Sequence, residues 1–363
     1  MRTLITIILF VLMLSIITLV HEFGHLVVAK AFGVYCKEFS IGMGPKIASK
    51  KFKETEYSIR AFLIGGYVSM VGEDDAEDPD IEKLNIPKER TLKGIAKWKQ
   101  MLVMFAGIFM NFVLAWLIYS LLILNIGTYN NISKPIIESI NESMPAYNSG
   151  LQVGDIIESA ELENGLSIEP ENYNELTTFL MSYYDGNGSW KLTVNRDEKE
   201  YTYEIVPTYY EDEDRYIIGI TFSNVSTNSI GINFFNCFKY GFIYMIQMTK
   251  MIFTSLSAII RGIGLKNLSG PIGVYQVVEQ TVDYGFSYYV ELLALICVNV
   301  AVFNALPVPA FDGGRALLLL IEVIIGRSLP KKFETTILTA SMILILTFMV
   351  LVSFNDIAKL IGG

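Results

Sequence analysis

Four uncharged runs dominate what this chain can become: residues 3–20, 101–126, 292–311 and 335–355. A helix needs about 20 consecutive apolar residues to cross the hydrocarbon of a bilayer, and each run meets or approaches that length. Composition agrees, since 52% of the 363 residues are hydrophobic and 18% are charged, against about a quarter charged in soluble domains. The first run is too long for a secretory signal and no small-residue cleavage site follows it; apolar character continues from His21 to Phe32. The chain therefore reads as a polytopic α-helical membrane protein with four transmembrane helices.

Orientation follows from Lys and Arg, which are enriched in loops that stay in the cytoplasm. Thirteen of them lie between residues 30 and 99, but only five between residues 127 and 233, where carboxylates prevail and Glu211-Asp212-Glu213-Asp214 forms a run. The first loop is expected inside and the second region outside, with Arg315, Arg327, Lys331 and Lys332 again inside. The net charge of −9 belongs mostly to the exported region and argues against nucleic-acid binding. Three scattered cysteines make neither a zinc knuckle nor a disulfide framework.

Residues 230–261 are also apolar, but Lys239, Gln247 and Lys250 interrupt them. They read as a helix lying in the interface rather than a fifth span. The expected organisation is a membrane region over 1–126, an extracytoplasmic domain over 127–225, an interfacial and linking region over 226–290 and a second membrane region over 291–363. Within the external domain, extended stretches at 135–140, 191–195 and 201–206 alternate with turn signals at Asn164-Gly165 and Asp185-Gly186-Asn187-Gly188, and a helical pattern occupies 171–184. MPAYNSGLQVGDII over 144–157 resembles the SPAxxAGLxxGDxI stretch of PDZ domains, which bind extended peptides at a sheet edge. The competing reading is a small mixed domain that only limits access.

The chain's two histidines are His21 and His25, in His21-Glu22-Phe23-Gly24-His25. On a helix, positions four apart share a face, so both imidazoles can reach one metal ion with Glu22 beside it. Two neutral imidazoles and a carboxylate suit zinc and leave room for a water that Glu22 can deprotonate. The trio closes an apolar helix, where ionisable groups are costly and usually functional. With no third histidine, the remaining protein ligand must be Asp, Glu or Cys. The candidate is Asp312 in NALPVPAFDGG over 304–314, where prolines break regular helix at membrane depth; the alternative for Asp312 is a cap on the helix that follows. Asp312 reaches the histidines only if residues 230–261 do not cross the membrane.

HEFGH on the first span, the PDZ-like insert and NALPVPAFDGG together resemble the site-2 protease family of intramembrane zinc metalloproteases, in its bacterial regulated-intramembrane-proteolysis branch. The resemblance implies Zn2+ held by His21, His25 and Asp312, with Glu22 as general base. It also implies that Asn304 holds substrate backbone. The stretch 57–70, with Gly65, Gly66 and Tyr67, corresponds to a membrane-associated β-hairpin that pairs with unwound substrate. AGIFMNF over 106–112 resembles a family stretch in which Ile108 replaces a proline; for Gly107 and Asn111, helix packing is as good an explanation as substrate contact. Gly270-Pro271-Ile272-Gly273, preceded by Ser269, is assigned only a structural turn.

The implied substrates are single-span membrane proteins already trimmed outside, such as anti-sigma factors or signal-peptide remnants. The implied location is a bacterial cytoplasmic membrane, with the N-terminus and PDZ-like domain outside and the active site near the cytoplasmic face. A rival is a membrane-anchored peptide-binding adaptor whose metal site is vestigial. A divalent-metal transporter is less compatible, because it needs polar groups along several spans.

Overall fold

The structure is a computed structural model that describes the chain except residues 1, 74–84, 133, 185, 211–214, 224–225, 261–269 and 363. The acidic run 211–214, Asp185 of the expected turn, and Ser269 lie outside the described residues. In chain order the elements begin with helix α1 (Arg2–Ala31), strands β1 (Cys36–Phe52) and β2 (Thr55–Met70), and helix α2 (Lys97–Ile126). A mixed region follows: β3 (Thr128–Ile132), β4 (Ile137–Ile140), α3 (Pro145–Ser149), β5 (Ile156–Leu162), β6 (Ser167–Ile168), α4 (Tyr173–Tyr183), β7 (Trp190–Arg196), β8 (Lys199–Ile205), β9 (Thr208–Tyr210), β10 (Arg215–Ile217), β11 (Ile220–Phe222) and β12 (Ser226–Gly231). Helices α5 (Cys237–Ile260), α6 (Pro271–Tyr284), α7 (Phe286–Ala305), α8 (Asp312–Ile325) and α9 (Lys331–Gly362) complete the chain.

Among the described residues, five helices are long and apolar enough to cross a membrane: α1, α2, α5, α7 and α9. This is the architecture of a polytopic membrane protein with an inserted sheet-containing region. Residues 230–261, read from the sequence as an interfacial helix, contain α5, which is continuous over 24 residues and, by length and composition alone, long and apolar enough to span. One expectation needs correction. The third span was placed at 292–311, but α7 covers Phe286–Ala305. It stops there because Leu306 precedes a proline, which drives it to extended backbone (φ −64°, ψ 147°).

The chain packs as two units. The first comprises Met1–Leu122, Phe235–Phe253 and Ser269–Gly363. Its helical core gathers Met13 and Ile17 of α1, Ala115 and Tyr119 of α2, Met245 and Ile252 of α5, and Cys297 and Val298 of α7. Polar groups also link its helices: the Trp116 indole donates to the Phe238 carbonyl (2.7 Å), and Tyr289 Oη donates to the Leu9 carbonyl (2.9 Å). Asp356 of α9 accepts from the amides of Gly270 and Gly273 (2.8 and 2.9 Å), closing the first turn of α6.

The hairpin also differs from expectation. Residues 57–70 are not a hairpin by themselves; they belong to one long strand, β2, paired with β1, which the sequence pattern had left unassigned. Both strands bend, so residues 36–43 pair antiparallel with 62–70 on one side and lie beside 56–59 on the other, while 46–52 pair with 55–60. Gly65 takes φ +80° at the second bend, a conformation costly for any residue with a Cβ. Its neighbour Gly66 passes so close to Ser40 that an added Cβ would sit 2.6 Å from the Ser40 carbonyl oxygen. The resulting sheet leaves 66–70 at one edge and 46–52 at the other. On its polar face, burial pushes the Glu38 carboxyl up, but hydrogen bonds from Ser58 and Arg60 outweigh this and hold it below the usual carboxylate range.

The second unit comprises Ile123–Phe234 and Thr254–Leu268, so it begins before the expected boundary at 127 and takes in residues from the expected linking region. A four-stranded antiparallel sheet in the order β6-β5-β7-β8 packs against α4. Ile157, Ala160, Leu162, Leu176, Phe179, Leu192 and Val194 are almost wholly buried between them. Asn172 caps α4, accepting from the Glu175 amide at 2.9 Å. Asp155 of the GD pair is fully buried and takes two hydrogen bonds from Arg196 (2.6 and 2.7 Å) and one from the Gln152 amide (2.9 Å).

Candidate metal centre

α1 presents His21 and His25 one turn apart, both buried. Their Nε2 atoms lie 3.2 Å from each other, and 3.0 and 3.4 Å from Asp312 Oδ2. A tetrahedral ion bound at about 2.0–2.2 Å separates its ligand atoms by roughly 3.3–3.6 Å, so these three edges come within a few tenths of an ångström of one face of such a tetrahedron. Asp312 Oδ2 is buried and takes no hydrogen bond among the described residues, an orphaned acceptor that a cation would satisfy. These three residues are the one group among those described with the ligand types and spacing to hold a metal ion.

Asp312 arrives from an element the sequence only half described. It does not end the third span but opens α8, with Phe311 as the preceding cap residue. The break at 306–311 carries the chain from the end of α7 to the metal-facing start of α8. Gly313 and Gly314 let the loop fold against the helix it came from, since a Cβ on Gly313 would run into the backbone of Ala305 and Leu306.

The second helix contributes more than packing. The tautomer that offers Nε2 to a metal carries its proton on Nδ1, which then needs an acceptor. For His25 the acceptor is the Val103 carbonyl at 2.7 Å. For His21 the neighbour is the fully buried side-chain amide of Asn111, with Nδ2 3.4 Å from Nδ1 and Oδ1 without a hydrogen-bond partner among the described residues; a flip of that amide exchanges the two atoms and gives Nδ1 its acceptor. Gly107 lies one turn before Asn111, and a Cβ there would stand 2.5 Å from His25 Nε2 and 2.7 and 2.8 Å from the His21 ring. Spacing along α2 could suggest small-residue packing, but nothing in it showed that the helix is pressed against the two imidazoles.

Glu22 lines the same pocket, and its carboxylate accepts from the Val68 amide at 3.1 Å. Val68 lies in the outermost segment of β2. Because alternate residues of an antiparallel strand point their amides to the same side, Gly66 and Met70 share the edge that faces Glu22. The pocket has a volume of about 300 Å3, and Tyr67, Asn304 and Arg315 also line it. Of the residues expected to contact substrate, Tyr67 and Asn304 therefore reach the pocket. Gly65 faces Met43 and Thr18 instead, and Gly66 packs against the Ser40 carbonyl of β1.

The profile of peptidase family M50 matches residues 9–348. The chain belongs to peptidase family M50. This is the site-2 protease family, and the protein is accordingly a metalloprotease. A protein of Clostridium perfringens named as a zinc metalloprotease is 33% identical over 348 residues, covering 94% of this chain and 96% of its own. One of Clostridium acetobutylicum with the same designation is 30% identical, covering 96% of both chains. The regulator of sigma-W protease of Bacillus subtilis is 27% identical, covering 98% of this chain and 99% of its own.

Proposed function

We propose that this M50 protein is a zinc protease that hydrolyses peptide bonds within the membrane segments of single-span proteins, with Glu22 as general base. The observation that carries the reading is the convergence in one pocket of the His21, His25 and Asp312 triangle, the Glu22 carboxylate and an outermost β-strand segment. Zinc held by these three residues would polarise the scissile carbonyl and acidify a water. Glu22 takes the proton of that water and returns it to the leaving amine. The Val103 carbonyl holds the His25 imidazole in the ligating tautomer, and the Asn111 amide, with its oxygen turned to Nδ1, would do the same for His21. The 66–70 edge supplies main-chain groups with which an unwound substrate segment pairs, replacing the helical hydrogen bonds it gave up. Asn304 is placed to steady the substrate backbone.

Membrane-bound anti-sigma factors are the substrate class we favour, in view of the relation to the regulator of sigma-W protease, together with signal-peptide remnants. The protein would sit in a bacterial cytoplasmic membrane, its active site near the cytoplasmic face and the second unit outside. The second unit supports a PDZ-like reading: a groove of about 440 Å3 lies between α4 and β11, lined by Thr177, Leu180, Met181, Ile220 and Phe222. Such a groove suits an extended peptide and would filter substrates by their outer ends.

The test is cleavage of a single-span protein in liposomes by wild type and Glu22→Gln, read by mass spectrometry. Wild type should cut within the membrane segment, and Glu22→Gln should bind zinc fully yet not cut. Retained cleavage by the variant would remove Glu22 from the mechanism.

A further inference from the structure

A second cavity, of about 320 Å3, adjoins the metal pocket in the first unit. The two share Glu73, Met104 and Arg315 as lining residues. Arg315 Nη1 donates to Glu73 Oε1 at 2.9 Å, so the ion pair stands at the passage between them. Beyond it the floor is apolar, made by Leu92 of the chain leading into α2, Leu318 and Leu319 of α8, and Leu338 of α9.

We propose that this cavity is a side-chain subsite of the protease, taking one bulky apolar residue of the substrate on the cytoplasmic side of the scissile bond. The inference rests on the intramembrane-protease reading above and adds where specificity is read. Three observations converge on it. The first is direction. Tyr67, Val68 and Met70 of β2 line the metal pocket, Glu73 just past the strand's end lines both pockets, and Leu92, whose amide donates to the Val71 carbonyl, lines only the second together with Lys93. An extended segment laid against the 66–70 edge and continued past Met70 therefore enters the second cavity. From Val68 to Glu73 is at most roughly 17 Å of strand, so the residue concerned lies within about five of the cleaved bond.

The second observation is charge. Each carboxylate lining the cavity has a cationic partner: Glu73 has Arg315, Glu322 has Lys97 and Glu334 has Lys93. With its charges matched at the walls, the cavity offers no net field for an ionic ligand, whereas its leucine floor rewards burial of apolar surface. The third is size. The volume falls at the low end of the roughly 300–1,000 Å3 found for small-molecule sites, which suits one large side chain.

The experiment uses the full-length enzyme in liposomes, with single-span substrates in which each of the five residues on the cytoplasmic side of the cleaved bond is set in turn to Ala, Leu or Trp. At one position, wild type should prefer Leu to Ala in kcat/KM by roughly tenfold or more, as expected of an apolar pocket. Leu338→Trp fills the cavity and should bring that ratio close to one, while Leu338→Ala should shift the preference toward Trp. Thr335→Phe fills it from the exposed rim and covers the case in which Leu338→Trp misfolds. No preference at any of the five positions in wild type, or a preference unchanged in both a filling and an enlarging variant, overturns the proposal. Failure of the underlying reading looks different: zinc-loaded wild type would then cut none of the substrates, or Glu22→Gln would cut them as well.

Discussion

Gly107→Ala adds a single methyl group to the protein at the place where α2 meets both imidazoles. The new Cβ would lie 2.5 Å from His25 Nε2 and 2.7 and 2.8 Å from the His21 ring, whereas ordinary contact begins at 3.4 Å. Relief requires the rings or the helix to move by about 0.6–0.9 Å. A bound metal tolerates only about 0.2 Å in its ligand distances, so a shift of this size removes at least one ligand from bonding range. Zinc affinity should fall by more than about 100-fold, since disturbing even one outer partner of a ligand costs roughly 10–100-fold. Helix formation is not the casualty, because Ala is favoured over Gly by about 1 kcal/mol within a helix. The prediction is thus a folded, membrane-inserted protein with little metal. Zinc content after equilibration with a graded series of chelators measures the affinity, and circular dichroism checks the fold. If Gly107→Ala keeps full zinc at the chelator concentrations wild type withstands, the close approach of α2 to the histidines is wrong.

Other perturbations separate the remaining roles. Asp312→Asn keeps the shape but loses the charge of the third ligand, so metal content by elemental analysis should fall along with activity; an unchanged content would place that ligand elsewhere. Asn111→Leu deprives His21 Nδ1 of its acceptor and should weaken zinc binding roughly 10–100-fold, while Asn111→Asp, which retains an acceptor, should recover most of it; equal losses in the two would refute the hydrogen-bond role. In the second unit, Asp155→Ala leaves Arg196 with only the Gly150 carbonyl as acceptor and the Gln152 amide without its own, at a cost of about 1–3 kcal/mol. Hydrogen exchange should quicken across β5, β7 and β8 without any change in zinc content.

Different parts of the protein were legible in the sequence to different degrees. Helices written as long apolar runs were plain, because a bilayer rewards length and lack of charge and both are local properties. Their ends were less so: α7 begins and stops six residues earlier than its hydropathy suggests, since Pro307, rather than polarity, ends it. α5 shows the opposite limit, for Lys239, Gln247 and Lys250 interrupt its sequence without breaking its helix. The β1 and β2 pairing was hardest to see. Its register depends on bends at glycines and on contacts between segments far apart in the chain, and β1 carries no clean alternation to announce it.

By itself the sequence determined that this chain belongs in a membrane and that its two histidines, four residues apart on one helix, can share a metal. It also nominated Asp312, because a chain with no third histidine must find its remaining ligand elsewhere. Only the tertiary structure brought Asp312 Oδ2 within 3.4 Å of both imidazoles, turned the 66–70 edge toward Glu22 and pressed Gly107 and Asn111 of α2 against the rings. The physical reason is the same in each case. Hydropathy and helical periodicity are fixed by near neighbours, whereas ligand triangles, strand edges and the space a missing Cβ leaves open are set by residues that meet only when the chain has folded.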